Sequence, residues 1–335
     1  MIWKGKNGPL LIAEIGGNHE GSFQYAKKLL NLSCLNNIDV VKYQIYQGNT
    51  LVNKNLSRTR YNHFKNFELT KKQHLYLADL CRERGFKYLS SVWNKEDLRW
   101  IEKKMEFFKI GSGDLTAYDQ IYETCKYKKP ILLSTGLSTL KEIRETLNFI
   151  KNTNKFYKNK KNIAILQCTS SYPTKNEEVN LNTLKTLKKI GYEIGYSHHG
   201  KTPYPLELAY TLGCNILEFH FTDTRKYKKF RDHKISLTPQ MVNNLIKKIK
   251  LINTYLGSNK KEPTKEEINS GNVKSFRRGL YLKRDVKKNS IIKKEDLVSL
   301  RPAQSLSAKY FFKLINKKAK RNLSKLEIIN FKDFK

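Results

Sequence analysis

The pattern that most restricts how this chain can fold is an eightfold alternation, between Leu10 and Gly257, of a short apolar run with a stretch of helical periodicity. The apolar runs fall at 10–16, 39–45, 86–92, 106–112, 131–135, 163–168, 193–197 and 215–222, with the length and composition of buried strands. Between them Ser22 caps a helix with Phe23, Ala26, Leu29, Leu30 and Ser33 on one stripe, and Thr70 caps another that carries Leu77, Leu80 and Cys81 inward to about Gly85. Further helices are expected from about Lys95, over 139–151 and over 181–190, with a short apolar segment at 204–212. Thr238 and Pro239 open the last helix, whose Val242, Leu245, Ile246, Ile249 and Ile252 face inward until Gly257 stops it. Eight such alternations over about 250 residues describe a (β/α)8 TIM barrel, an α/β fold.

Two stretches interrupt the rhythm. Residues 47–68 are long, polar and aromatic, as befits a lid or a decorated loop after a strand. Residues 258–273 are polar and charged and are expected to link the barrel, 1–257, to a small β-rich domain at 274–335 with short strands and turns over 279–285 and 290–297. That domain has too little core for a complex site of its own.

Charge narrows the partners less than its size suggests. The 65 Lys and Arg against 30 Asp and Glu leave +35, a balance that attracts nucleic acid, acidic lipid or anionic substrates. The densest runs, 155–161 and 317–321, lack the interleaved aromatics of a base-stacking platform. A solvated lysine surface is the simpler account, with no specific nucleic acid and no membrane as partner. A polyanion-binding protein is the alternative of a different class. Five cysteines with no C-x-x-C pair point to a reduced, cytoplasmic setting. No run approaches the roughly 18 apolar residues of a membrane span.

The chemistry gathers at two histidines. Over 215–222, strand alternation puts Ile216, Glu218, His220 and Thr222 on one face, and the run before it leads into His198 and His199. A histidine at a strand end is more often a hydrogen-bonded wall residue than a ligand. Two that converge at the ends of neighbouring parallel strands, near a carboxylate, make a candidate site for Mn²⁺, Zn²⁺ or Fe²⁺.

In such barrels the reactive groups stand at the C-terminal strand ends. Those ends hold Glu14, Lys42, Gln44, Lys109, Ser112, Asp114, Ser134, Thr169, Ser170, Ser197, His199, Glu218 and His220. Lys42 and Lys109 each interrupt an apolar strand and could serve a salt bridge or an anion. Serines beside the turns Gly111-Ser112-Gly113 and Ser134-Thr135-Gly136 can hold a phosphate through hydroxyls and backbone N–H groups. A metal-assisted lyase or transferase acting on a phosphorylated small molecule fits this set.

Several stretches carry a more specific signal: Leu11-Ile12-Ala13-Glu14-Ile15-Gly16-Gly17-Asn18-His19, Val41-Lys42-Tyr43-Gln44, Lys109-Ile110-Gly111-Ser112-Gly113-Asp114, Leu133-Ser134-Thr135-Gly136, Cys168-Thr169-Ser170-Ser171-Tyr172-Pro173 and Glu218-Phe219-His220-Phe221-Thr222. In this order they resemble the motif series of the sialic acid synthase family. Arg278-Gly279-Leu280-Tyr281 and Leu300-Arg301-Pro302 resemble its C-terminal antifreeze-like (SAF) domain. The resemblance implies condensation of phosphoenolpyruvate with an N-acylated hexosamine to a nonulosonic acid: sialate, or legionaminate or pseudaminate. Other phosphoenolpyruvate-dependent aldol synthases lack the SAF tail.

The resemblance further implies a divalent metal, Mn²⁺ or Mg²⁺, on His199 and His220, and phosphoenolpyruvate held by Lys42, Lys109, Ser112, Ser134 and Ser197, with Ser170 in the same motif set. Asp114 would handle a proton of the attacking water, and Glu14, Gln44, Tyr172 and Asp232 would bind the sugar. A domain-swapped homodimer would bring Arg301 of one subunit into the other's barrel. Departures from the family pattern are His198 for a common Asp, Ser170 for Asn, Asp114 for Glu, and Ala303-Gln304-Ser305 after Arg301-Pro302.

Overall fold

The structure, a computed structural model, describes residues 2–335. Eight strands, β1 (Gly8–Glu14), β2 (Val40–Ile45), β3 (Lys87–Val92), β4 (Phe108–Ile110), β5 (Ile131–Ser134), β6 (Ile163–Cys168), β7 (Glu193–His198) and β8 (Ile216–His220), pair in chain order. All these pairings are parallel, and β1 also pairs with β8, which closes the sheet into the expected barrel. Closure explains why the strands are apolar runs rather than alternating ones: Leu10, Leu11, Ile12 and Ala13 all lie fully buried, two facing the barrel axis and two the helix layer. Each such Leu or Ile contributes about 1.5–3 kcal/mol by leaving water.

The helices follow the stripes read from the sequence. In α1 (Phe23–Leu35) Ala26, Leu29, Leu30 and Ser33 are buried, and Ser22 Oγ accepts the Tyr25 N–H at 3.2 Å. The loop after β2 carries a helix of its own, α2 (Arg58–Phe67). Capping boxes at Thr70 and Thr139 start α3 (Lys71–Glu83) and α4 (Leu140–Thr153). The last barrel helix, α5 (Pro239–Leu256), buries Val242, Leu245, Ile246 and Ile249 and ends before Gly257, whose φ of 54° lies in the left-handed region. The helix expected from about Lys95 is there and is short and composite, an α-helical turn at Leu98–Ile101 flanked by 3-10 turns at Lys95–Asp97 and Glu102–Lys104. Asp97 acts there as a turn residue, accepting from Trp100 Nε1 at 2.8 Å.

β4 is shorter than the run at 106–112. The chain leaves the sheet at Gly111, where Asp114 N–H bonds to the Gly111 carbonyl at 3.1 Å and turns 112–114 into a 3-10 segment. This turn lifts Ser112 and Asp114 onto the rim.

Contacts divide the chain into one unit ending at Leu256 and a second, Gly257–Lys335. The second has its own core of Leu280, Leu282, Ile292, Leu314 and Ala319, all fully buried, under the antiparallel pair β9 (Gly279–Leu282) and β10 (Leu297–Leu300). Within 290–297, read as short strand and turn, the strand begins only at Leu297, because the Asp296 carboxylate caps the Lys293 N–H at 2.9 Å and receives Arg284 Nε at 2.6 Å, curling 294–296 into a turn. Within 258–273 a capping box at Thr264 starts a short helix, Lys265–Asn269. Among the described residues no helix is long and apolar enough to cross a membrane.

Candidate active site

The polar residues picked out at the strand ends meet at one end of the barrel. Glu14, the last residue of β1, is in register with Lys42 of β2 on one side and His220 of β8 on the other. Lys42 Nζ stands 2.6 Å from Glu14 Oε2, both side chains almost wholly buried, and Glu14 Oε1 accepts from Gln44 Nε2 at 2.7 Å. A buried ion pair is tolerable only if its remaining donors are satisfied. Lys42 also reaches Ser91 Oγ of β3, at 3.5 Å. Lys109 of β4 donates to Ser134 Oγ of β5 at 2.6 Å and lies 3.9 Å from Glu218 Oε1 of β8, which accepts from Ser197 Oγ of β7 at 2.9 Å.

The two carboxylates are pushed apart in acidity. Burial raises Glu14 to about 7 against the pull of Lys42. Glu218 is buried too, but Lys109 and Lys42 overcome that burial and hold it well below the usual carboxylate range. Burial lowers Lys109 from the usual lysine range against the pull of Glu218, whereas Lys42, equally buried, is raised because Glu14 and Glu218 overcome that burial. Two buried lysine amines beside serine hydroxyls suit an anionic ligand, whose charge would favour the ammonium form of each.

Beside the lysines lies a cradle of small donors. Gly136 N–H donates to Ser112 Oγ at 3.0 Å, and Ser112 Oγ lies 2.9 Å from Cys168 Sγ. A Cβ on Gly136 would sit 2.8 Å from that sulfur and 2.9 Å from Ser112 Oγ, and would strike Ser170 Oγ as well. Only glycine lets three side chains and a backbone amide crowd to one point.

The imidazoles converge as the strand positions require, with the ring centroids of His199 and His220 5.5 Å apart. Burial lowers His199 to about 4 and His220 to about 3, so both are neutral and keep lone pairs. His199 Nδ1 lies 2.9 Å from the Thr169 carbonyl, which assigns the ring proton to that nitrogen and leaves Nε2 free to ligate. His220 Nδ1 is buried with no hydrogen-bond partner, 3.9 Å from Asp232 Oδ2. These donors fit a divalent cation. Among the described residues no three His, Cys, Asp or Glu close around one point, so two nitrogens would leave most coordination positions to ligand oxygens.

Tyr172 lies tilted against the His199 ring, centroids 4.4 Å apart, and meets His220 edge-on at 5.9 Å. Arg231 lies 4.9 Å over Tyr172, with its Nε donating to Asp232 Oδ1 at 3.2 Å. Asp114 is half-buried on the turn after β4; burial raises it to about 6, opposed by Lys109.

Thus Glu14, Lys42, Gln44, Lys109, Ser112, Asp114, Ser134, Ser170, Tyr172, Ser197, His199, His220 and Asp232 stand at the same strand ends and their loops. Arg301 belongs to the second unit, exposed, with its guanidinium 5.9 Å from the Phe276 ring. His198 turns away from His199 and His220: it lies with Tyr196 on the other face of β7, its Nδ1 3.2 Å from the Tyr196 hydroxyl. Ser91, Cys168 and Arg231 join the site without having been singled out. A Ser90-Ser91 pair inside an apolar strand was the available sign for the first.

Comparison with known proteins gives matching family models over most of both units: the NeuB family over residues 30–261 and the SAF domain over 277–335. The N,N'-diacetyllegionaminic acid synthase of Campylobacter jejuni is 32% identical, covering 96% of this chain and 98% of that one. The enzyme of the same description from Legionella pneumophila is 31% identical, over 94% and 91%. The crystal structure of N-acetylneuraminic acid (sialic acid) synthetase from Leptospira borgpetersenii in complex with citrate superposes with a TM-score of 0.72 at 26% identity, covering 79% of this chain and 91% of that one.

Proposed function

Because the chain belongs to the NeuB family of nonulosonic acid synthases carrying a SAF domain, we propose that its barrel condenses phosphoenolpyruvate with the open-chain form of an N-acylated hexosamine and releases phosphate. The observation that carries this reading is that two buried lysines, Lys42 and Lys109, stand at the same barrel end as two neutral imidazoles, with Glu14 in register between Lys42 and His220 and Glu218 beside Lys109.

Lys42, Lys109, Ser134, Ser197 and the cradle of Ser112, Ser170 and the Gly136 N–H hold the carboxylate and phosphate of phosphoenolpyruvate. Glu14, Gln44, Tyr172 and Asp232 position the sugar, so that the enol carbon faces the aldehyde carbon. A divalent metal, Mn²⁺ or Mg²⁺, held by His199 and His220 would supply Lewis acidity at the aldehyde. The enol C3 bonds to the sugar C1 as the carbonyl π pair moves onto the aldehyde oxygen, which takes up a proton; water adds to the C2 cation, and the C2–O bond to phosphate then breaks, the remaining proton of that water leaving with phosphate so that C2 becomes the ketone. Asp114, raised to about 6 and therefore ionised at neutral pH, takes the proton of that water.

Two relatives of more than 30% identity described as diacetyllegionaminate synthases favour a 2,4-diacetamido-2,4,6-trideoxy hexose over N-acetylmannosamine as the sugar. The second unit is proposed as a SAF domain at 274–335 joined through 258–273 to a barrel at 1–257, and exchanged in a homodimer so that Arg301 serves the partner's barrel. Four of the five free cysteines are buried, which accords with a cytoplasmic enzyme.

The test is phosphate release from phosphoenolpyruvate and Mn²⁺ with N-acetylmannosamine, its 6-phosphate and the diacetamido sugar. Sugar-dependent release is expected. Release with no sugar, or with none of the three, would sink the synthase.

A further inference from the structure

One side of the barrel mouth is walled by aromatic rings that play no part in the barrel's core. Helix α2 presents His63, Phe64 and Phe67, and the loop after β8 presents Phe230. Phe230 lies 5.0 Å from Phe67 and stacks on His63 at 5.5 Å, while Phe64 meets Tyr46 edge-on at 5.1 Å. None of the three phenylalanines belongs to the barrel's core cluster, and all are only half-buried. Apolar rings held together over a polar pocket, outside the core, leave part of their surface for something that enters the mouth.

The wall is built against the site by glycines. A Cβ on Gly17 would come within 2.9 Å of the Phe230 ring, and one on Gly21 would strike the backbone of Asn66 at the end of α2. Gly16, next to Gly17, borders Glu14 Oε1, Gln44 Nε2 and His220 Cε1, at 3.1, 3.4 and 3.4 Å from its would-be Cβ. The Phe230 ring therefore begins one residue from the groups assigned to the sugar, and it is two residues from Asp232. The neighbouring cation, Arg231, is already committed to the Asp232 carboxylate and the Tyr172 face.

We propose that Phe67 and Phe230 form an apolar subsite for the far end of the hexosamine, selecting a sugar whose distal carbons carry a methyl and an acetamido methyl over one carrying hydroxyls or a phosphate. The inference rests on the synthase reading of the same site. A methyl laid on these rings leaves water for an apolar surface, a gain of about fourfold in affinity per carbon buried. A hydroxyl or phosphate laid on the two phenyl faces loses its water there without a partner, because the rings themselves neither donate nor accept a normal hydrogen bond. The two effects act in the same direction, and pockets of this kind discriminate by about 10- to 200-fold.

The measurement is kcat/KM of phosphate release at saturating phosphoenolpyruvate, for the diacetamido-trideoxy hexose, N-acetylmannosamine and its 6-phosphate. Wild-type protein is compared with Phe67→Ala, Phe230→Ala and the shape-conserving Phe230→Leu. Wild type prefers the trideoxy sugar. Each Ala variant is expected to lose about tenfold or more on that sugar, through KM, and less than about threefold on N-acetylmannosamine, with Phe230→Leu restoring most of the preference. Parallel losses on both sugars in Phe230→Leu as well as the Ala variants, or a wild type that prefers the hydroxylated or phosphorylated sugar, overturn the subsite while leaving the synthase intact. Absence of turnover with every sugar overturns both.

Discussion

Lys109→Met separates a binding cation from a structural one. Lys109 Nζ is 3.9 Å from Glu218 Oε1, with only 3% and 7% of the two side chains exposed. At an effective dielectric near 20 that spacing corresponds to about 4 kcal/mol, and stranding one member of a buried pair costs about 3–5 kcal/mol. Lys42 remains to offset part of the Glu218 charge, so a loss near the lower end, about 3 kcal/mol, is expected. All three tryptophans, Trp3, Trp93 and Trp100, lie in the barrel unit, so their fluorescence in urea reports that unit. Adding Glu218→Gln removes the stranded charge and should recover most of the stability. Activity should not recover. One charge-assisted hydrogen bond to phosphate is worth about 1.5–3 kcal/mol, or about 10- to 150-fold in kcat/KM for phosphoenolpyruvate, and neither variant supplies it. A single variant within twofold of wild type, or a double variant that regains activity along with stability, refutes the assignment of Lys109 to the substrate.

Three further outcomes follow from the same geometry. Asp114 must be ionised to accept a proton, so kcat/KM should rise with pH and level off above about 6; Asp114→Asn should lower the rate about 10²- to 10⁴-fold and erase that limb. Chelation should abolish turnover and Mn²⁺ restore it, while His220→Ala should abolish it irreversibly with far-ultraviolet circular dichroism unchanged; turnover in metal-free protein would remove the ligand role of the imidazoles. In a domain-swapped dimer, mixing inactive Arg301→Ala and His220→Ala subunits regenerates one intact site in each mixed dimer, about a quarter of wild-type activity, whereas Arg301 acting within its own chain gives none.

How far the sequence reaches is visible residue by residue. Lys42 and Lys109 stood out because a lysine in an apolar strand demands a partner, and each has one: Glu14 for the first, Ser134 and Glu218 for the second. The stripes of α1, α3 and α5 were readable because the face a helix buries is set by neighbours three and four residues away. The turn that shortens β4 and the one at Asp296 were not, since each depends on a hydrogen bond that competes with continued strand pairing. The helix in 47–68 was equally hidden. Its rings find their partners at Tyr46, Gly17 and Phe230, which local periodicity does not report.

Local composition and spacing determined the eight strand and helix units, their order around a barrel, and which polar residues would stand at the strand ends, because burial on both faces of a closed sheet writes itself into each short run. Only the tertiary structure decided which of those residues touch. Closure of β1 on β8 places Glu14 between Lys42 and His220. The burial that follows makes one carboxylate hold its proton near neutrality, keeps both imidazoles neutral, and seats Phe230 on Gly17 above the pocket. Those properties come from groups some 200 residues apart in sequence sharing one low-dielectric space.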